Sequence, residues 1–184
     1  MGLPRRIEGY AIVSREGMIC TVDGVMPDGL KIDADQRFFH GGLDRADAVA
    51  NGRHSNEGGP HAAERPRLVL TRHIPSLAPD PTNPKAVLWN PAGARFEDAW
   101  DALKVDGTLA VVGGTDVFGL FLAIGYDVFF LSHASVSVPN GRPVFPGIPA
   151  QTPEAVLAGR GMVKQSERVL DERAQVTMAQ WGRP

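Results

Sequence analysis

Short apolar runs broken by glycine, proline and charge recur along the chain, and their two periods separate strands from helices. Residues 7–13 form the first run, where Tyr10, Ala11, Ile12 and Val13 follow one another and predict a strand. A stretch punctuated by Gly17, Gly24, Pro27 and Gly29 reads as a long loop, after which residues 33–40 open a helix. Asp33 is expected to cap that helix, while Ala34, Phe38 and Phe39 supply its apolar side. Further strands are predicted at 46–50, 67–71, 85–89, 108–112 and 127–132, with a loop rich in Gly and His at 56–64. Helices are predicted at 96–103, where Phe96, Ala99, Trp100 and Leu103 fall on one face, and at 116–123. Two extended runs, 162–170 and 175–181, close the chain and are joined by a turn too short for a crossover, so they pair antiparallel. The pattern as a whole predicts one α/β domain over residues 1–184, a mixed, mostly parallel sheet flanked by helices with antiparallel C-terminal strands.

Composition narrows the classes. Of the 184 residues, 43% are hydrophobic, enough for a core that needs neither disulfide nor metal. The 19 Lys and Arg against 21 Asp and Glu leave a net charge of −2, which argues against a basic nucleic-acid or membrane-surface binder. Cys20 is the sole cysteine, and His40, His54, His61, His73 and His133 show no metal-ligand spacing. Ser55 and Ser132 lack the GxSxG elbow of a hydrolase, and the HxE and PCxxC signatures of the zinc deaminases are missing. No apolar run reaches bilayer length and no signal peptide is visible, so the expected location is the cytoplasm.

Three strand ends carry candidate chemistry. The run 109–112 enters Gly113 and Gly114, and a helix follows through Thr115 and Asp116. Paired glycines allow close approach of a ligand to backbone, and the unpaired N–H groups of a helix start suit a phosphate. The fingerprint GxGxxG does not occur there, so a Rossmann domain is poorly supported. Gly52, Arg53, His54 and Ser55 follow a second strand, and Thr71 and Arg72 end a third, each offering a hydroxyl and a guanidinium to an anion. Any one of these is compatible with a plain turn or a solvated charge. Three in succession converge, because ligands of open α/β sheets gather beyond the carboxyl ends of the strands.

These motifs, together with Met26-Pro27 and Leu30, Ala34-Asp35 and Phe39, Val69-Leu70-Thr71-Arg72, and Val144-Phe145-Pro146, stand in an order that resembles the dihydrofolate reductase superfamily. The resemblance runs over roughly residues 7–181 and extends to the reductase domain of bifunctional riboflavin-biosynthesis enzymes. It implies an NADPH-dependent reductase that delivers hydride to a small nitrogen heterocycle, first a pteridine such as dihydrofolate. The alternatives it implies are reduction of 5-amino-6-(5-phosphoribosylamino)uracil, or a non-catalytic NADPH-binding module. Carried over by residue, Asp35 is the buried carboxylate that bonds the substrate's amidine edge and assists its protonation, with Ser132 supporting it. Phe39 packs on the substrate ring, and Arg65 falls where folate enzymes hold the glutamate tail. Gly52, Arg53, His54 and Ser55 embrace the cofactor phosphates. Thr71 and Arg72 meet the 2′-phosphate, and Gly113, Gly114 and Thr115, with Asp116 beside them, form the pyrophosphate and nicotinamide turn. The chain departs from the pattern at Asp28, where folate enzymes carry Trp, at Phe118, where they carry Tyr, and at Cys20, where they carry Gly. Those departures bear on dihydrofolate rather than on the cofactor. Members of the riboflavin-type branch are often dimers, which makes a homodimer an expectation here.

Overall fold

The strand predicted at 7–13 lies inside the sheet, fourth of its nine strands. A computed structural model describes residues 2–55 and 57–184; Met1 and Asn56, the latter opening the loop expected at 56–64, lie outside the described residues. The chain passes from β1 (Arg6–Val13) through a short β2 (Met18–Cys20) into helix α1 (Asp33–Arg45). It continues through β3 (Ala48–Gly52), β4 (Arg67–Leu70), β5 (Leu77–Asp80) and β6 (Asn83–Trp89) to α2 (Phe96–Leu103). Then come β7 (Thr108–Val111), α3 (Thr115–Ile124), β8 (Val128–His133), β9 (Arg142–Pro143), α4 (Pro153–Gly159), β10 (Val163–Asp171) and β11 (Val176–Gly182).

Nine strands share one sheet in the order β10-β11-β8-β1-β7-β3-β4-β6-β5, while β2 and β9 pair with each other. The six strands from β8 to β6 run parallel, and β5, β10 and β11 are antiparallel to their neighbours. Side chains alternate across the sheet as a period of two requires. Leu109 and Val111, Ala48 and Ala50, and Phe129 and Leu131 enter the larger core, which Trp89, Phe96, Trp100 and Phe121 fill. Ala110, Val49 and Phe130 face the other way, toward Tyr10 and Leu43 beneath α1. Gly42 permits that contact, since a Cβ there would lie 2.5 Å from the Tyr10 hydroxyl. Trp89, Trp100 and Trp181 are all in the larger core, as their periodic surroundings predict.

The cap of α1 differs from the expectation. Ile32, in extended conformation, is the N-cap and offers no side-chain bond, whereas Asp33 is already helical in the first turn. The carboxylate therefore acts on the helix dipole rather than as an N-cap acceptor.

The connections fix where a ligand can enter. From β3 the chain moves to β4 on one side, and from β7 it moves through α3 toward β8 on the other. Adjacent strands whose continuations diverge leave a crevice at their carboxyl ends. A bond of 3.0 Å from Gly52 N–H to the Gly113 carbonyl ties the two strand ends together there. Among the described residues no helix is long and apolar enough to cross a membrane.

Candidate active site

The crevice opens into a cleft of about 1450 Å³. That exceeds the roughly 300–1,000 Å³ of a site for one small ligand, so there is room for an extended molecule and a second, smaller one. Its lining divides into a polar half and an apolar half.

The polar half is built on three strand ends. After β3, residues 52–55 close on themselves through a bond from Ser55 N–H to the Gly52 carbonyl. After β7, Gly113 takes φ +121°, a conformation that L side chains rarely adopt, and Gly114 caps α3. An added Cβ at Gly114 would meet only Ser55 Oγ, 3.9 Å away, and one at Gly52 would make ordinary contacts with Val117 at 3.5 Å and Ser55 Oγ at 3.8 Å, so backbone and hydroxyl share one open surface. Thr115 turns its hydroxyl to the Pro143 carbonyl at 2.5 Å, which pins the start of α3 to the β9 segment. Thr71, after β4, is buried and accepts from His73 N–H at 3.2 Å. Arg72 beside it is exposed and sits 3.4 Å from the equally exposed Asp116. With Arg53, His54 and the first turn of α3, this half presents cations, hydroxyls and backbone donors, the groups that recognise an extended polyanion.

The apolar half is an aromatic floor holding one carboxylate. Tyr10 stacks on Phe130 with centroids 4.9 Å apart, Phe38 meets Phe130 edge-on at 5.1 Å, and Phe39 meets Tyr10 at 6.1 Å. Asp35 projects from the first turn of α1 into this floor and is buried. Desolvation pushes its carboxyl above the ordinary value of 3.8, and a hydrogen bond from the Ser132 hydroxyl partly opposes that shift. Ser132 lies on β8 opposite Ile12 of β1, so the bond spans from helix to sheet. The Tyr10 hydroxyl is not free for a ligand: it donates to Glu8 at 2.6 Å.

All the candidate catalytic, substrate and cofactor residues of the sequence line this cleft except Arg65. Arg65 is buried elsewhere, 2.7 Å from Asp44 and 3.3 Å from Glu57, and is not placed to hold a substrate tail. The cleft also gathers residues the sequence did not single out for it, among them Tyr10, Phe130, His73, Asn90 and Arg142. Tyr10 and Phe130 read simply as strand residues, while His73 stood one position beyond a motif already noted. Arg142 sits in a two-residue strand that has no period to detect.

This architecture is the dihydrofolate reductase-like fold. The chain is similar over 97% of its length to a protein from Shewanella sp. PV-4 assigned to riboflavin biosynthesis, with a TM-score of 0.68, 16% identity and 99% of that chain covered. It is similar over its whole length to dihydrofolate reductase from Enterococcus faecalis, solved with NADP(H) and the ligand RAB-propyl, with a TM-score of 0.67, 18% identity and 99% of that chain covered. A third similar structure is a diaminohydroxyphosphoribosylaminopyrimidine deaminase/5-amino-6-(5-phosphoribosylamino)uracil reductase from Thermotoga maritima, with a TM-score of 0.67 and 16% identity. The match takes in 98% of the present chain, which spans 57% of that longer one. No family model and no curated protein sequence matches the chain.

Proposed function

We propose that this protein is an NADPH-dependent reductase of a small nitrogen heterocycle. The observation that carries the reading is a buried, hydrogen-bonded carboxylate, Asp35, at the apolar end of a cleft whose other end is a polyanion cradle. The cradle suits NADPH in the chemistry of its donors. Arg53 and Arg72 with Thr71 answer a 2′-phosphate, and the open surface of Gly52, Gly114 and Ser55 beside the start of α3 answers a pyrophosphate. When bound, the dihydronicotinamide supplies the hydride. The chain's own part is to bind, orient and manage a proton. The aromatic floor around Phe39 and Phe130 excludes water and offers flat surfaces to a planar ring. Asp35, kept toward its protonated form by burial, hydrogen-bonds a ring nitrogen and supplies or relays the proton that accompanies hydride.

The first substrate we assign is a pteridine. Arg65 is consumed by Asp44 and Glu57, which favours a pteridine without the long anionic tail of folate. A phosphorylated pyrimidine such as 5-amino-6-(5-phosphoribosylamino)uracil is the second reading, favoured by Arg142. That guanidinium lines the cleft, donates to the Val22 carbonyl at 2.9 Å and has no acidic partner among the described residues. The test is NADPH oxidation, followed by absorbance, against dihydrofolate, dihydrobiopterin and the uracil intermediate. Turnover is expected with at least one of them. NADPH should bind at least about tenfold more tightly than NADH, about 1.4 kcal/mol, and the Arg53→Ala, Arg72→Ala double variant should lose that preference. Tight NADPH binding without turnover on any acceptor would make the protein a binding module instead.

A further inference from the structure

Arg65 leaves the cleft because it belongs to a chain of charged and amide groups, exposed at Asp44 but largely buried from Arg65 inward, whose far end reaches the turn at 52–55. Asp44, in the last turn of α1, accepts from Arg65 Nη2 at 2.7 Å. Arg65 Nη1 donates to Glu57 at 3.3 Å, and Glu57, whose side chain is wholly buried, also takes a two-point contact from Arg67. Arg67 Nη2 donates as well to the Ala62 carbonyl, and its Nη1 donates to Asn51 Oδ1, both at 2.9 Å. Asn51, 3% exposed, then gives its Nδ2 to two carbonyls at once, those of Gly52 and Ser55, each at 2.9 Å.

Two guanidinium groups and two carboxylates balance in charge. A buried ionic cluster is seldom the most stabilising way to fill such a space; apolar side chains of the same volume often do as well or better. What a cluster of this kind does specify is direction. Arg67 offers only donors, so it fixes Asn51 Oδ1 toward itself and leaves Nδ2 toward the turn. The Gly52 carbonyl is already engaged by Ser55 N–H, but that of Ser55 would otherwise be free to face the cleft, where its partial negative charge would repel an anion. Bonded to Asn51, both are held away, and the turn shows the cleft Arg53, His54 and the Ser55 hydroxyl instead.

We infer that Asn51, oriented by Arg67 and Glu57, is a positioning residue for anion binding at residues 52–55, and that neither it nor Arg65 nor Arg67 touches the ligand. The inference rests on the assignment of that turn to the cofactor phosphates. Asn51→Asp tests it most sharply, because a carboxylate still accepts from Arg67 but cannot donate to either carbonyl. By calorimetry with NADPH, the dissociation constant should rise at least about tenfold. In turnover assays the change should fall on the KM for NADPH, with kcat at saturation within about twofold. A role in folding alone would lower the melting temperature and leave KM unmoved. Arg67→Lys keeps the charge and loses the fork, so it should show the same KM effect more weakly. It is also the variant to read if Asn51→Asp does not fold. Hydrogen exchange without any ligand separates the inference from the reading beneath it. The amides of Arg53 and Ser55, bonded to the Leu70 and Gly52 carbonyls, should exchange at least about tenfold faster in either variant. Unchanged exchange overturns the brace. Faster exchange in a protein whose wild type ignores NADPH would uphold the brace and sink the cofactor assignment. Normal NADPH binding by the variant with a loosened turn would overturn the positioning role.

Discussion

Asp35 is pulled two ways, by an apolar surrounding that disfavours its charge and by the Ser132 hydroxyl that favours it, and the first prevails. Asp35→Asn keeps the shape and removes the titration. Turnover should fall by about 10²–10⁴, the usual worth of a proton-transfer group, while NADPH affinity stays within about threefold. In the wild type the rate should decline as pH rises through the raised pKa of Asp35, and that limb should vanish in the variant. Stability should move the other way. Because the folded pKa lies above the unfolded value of 3.8, the unfolded chain loses its proton first as pH rises, and the native state is progressively disfavoured until Asp35 itself ionises. Asp35→Asn should therefore melt higher than wild type at pH 7–8, by about 2–4 °C for each kcal/mol relieved, and the gain should disappear below about pH 4. Calorimetric melting across that pH range checks the sign. A carboxylate in the first turn of a helix and four residues before Phe39 was legible in the sequence because the helical period puts both on one face. Arg65 was misplaced for an equally physical reason. Its partners stand 21 and 8 residues away, at Asp44 and Glu57, and no local pattern announces a pairing that only the folded loop creates.

At the scale of elements, two adjacent glycines have different work. Gly113 holds φ +121°, and an added Cβ would lie 3.2 Å from the Phe118 ring. Gly114 has an ordinary φ of −78° and open space before Ser55. Gly113→Ala should thus lower the melting temperature, from strain and crowding together, by an amount corresponding to about 1–3 kcal/mol. Gly114→Ala should melt within a degree or two of wild type yet bind NADPH at least about tenfold more weakly, since its methyl group occupies only the ligand's space. Equal effects of the two on melting would return the turn to the status of a plain connection. Elements long enough to show a period were visible in the sequence: α2 matches its expected bounds, and the strands match theirs within a few residues. The short ones were not. β2 and β9 have three and two residues, too few for any alternation, and β5 contains Pro79. α4 did carry a signal that went unread, Thr152 before Pro153 and Glu154. There the threonine hydroxyl accepts from Ala155 N–H at 3.1 Å, and proline at N1 is favoured for its missing donor.

The molecule as a whole was legible as a mostly parallel sheet with an antiparallel end, because alternating strands and helices allow few other solutions. Strand order was not, since periodicity says nothing about which neighbours a strand chooses. The order has a consequence in time. β7 lies between β1 and β3, although about 55 residues of chain separate it from the end of β3 and about 95 from the end of β1. The hairpins β5–β6 and β10–β11 need only nearby residues, whereas the centre of the sheet must wait for its most distant pairings and their loop-closure entropy. Both walls of the cradle, residues 52–55 and the Gly113 turn, meet only once β7 has docked. In pulse-labelled refolding, protection of the Leu109 and Val111 amides and competence to bind NADPH should therefore appear in one kinetic phase, later than protection of the two hairpins. Binding that precedes protection of β7 would contradict this order. On a ribosome, the same topology means that a nascent chain gains nothing from a ligand of the cradle until its central strand has emerged, so that such a ligand can rescue only late intermediates.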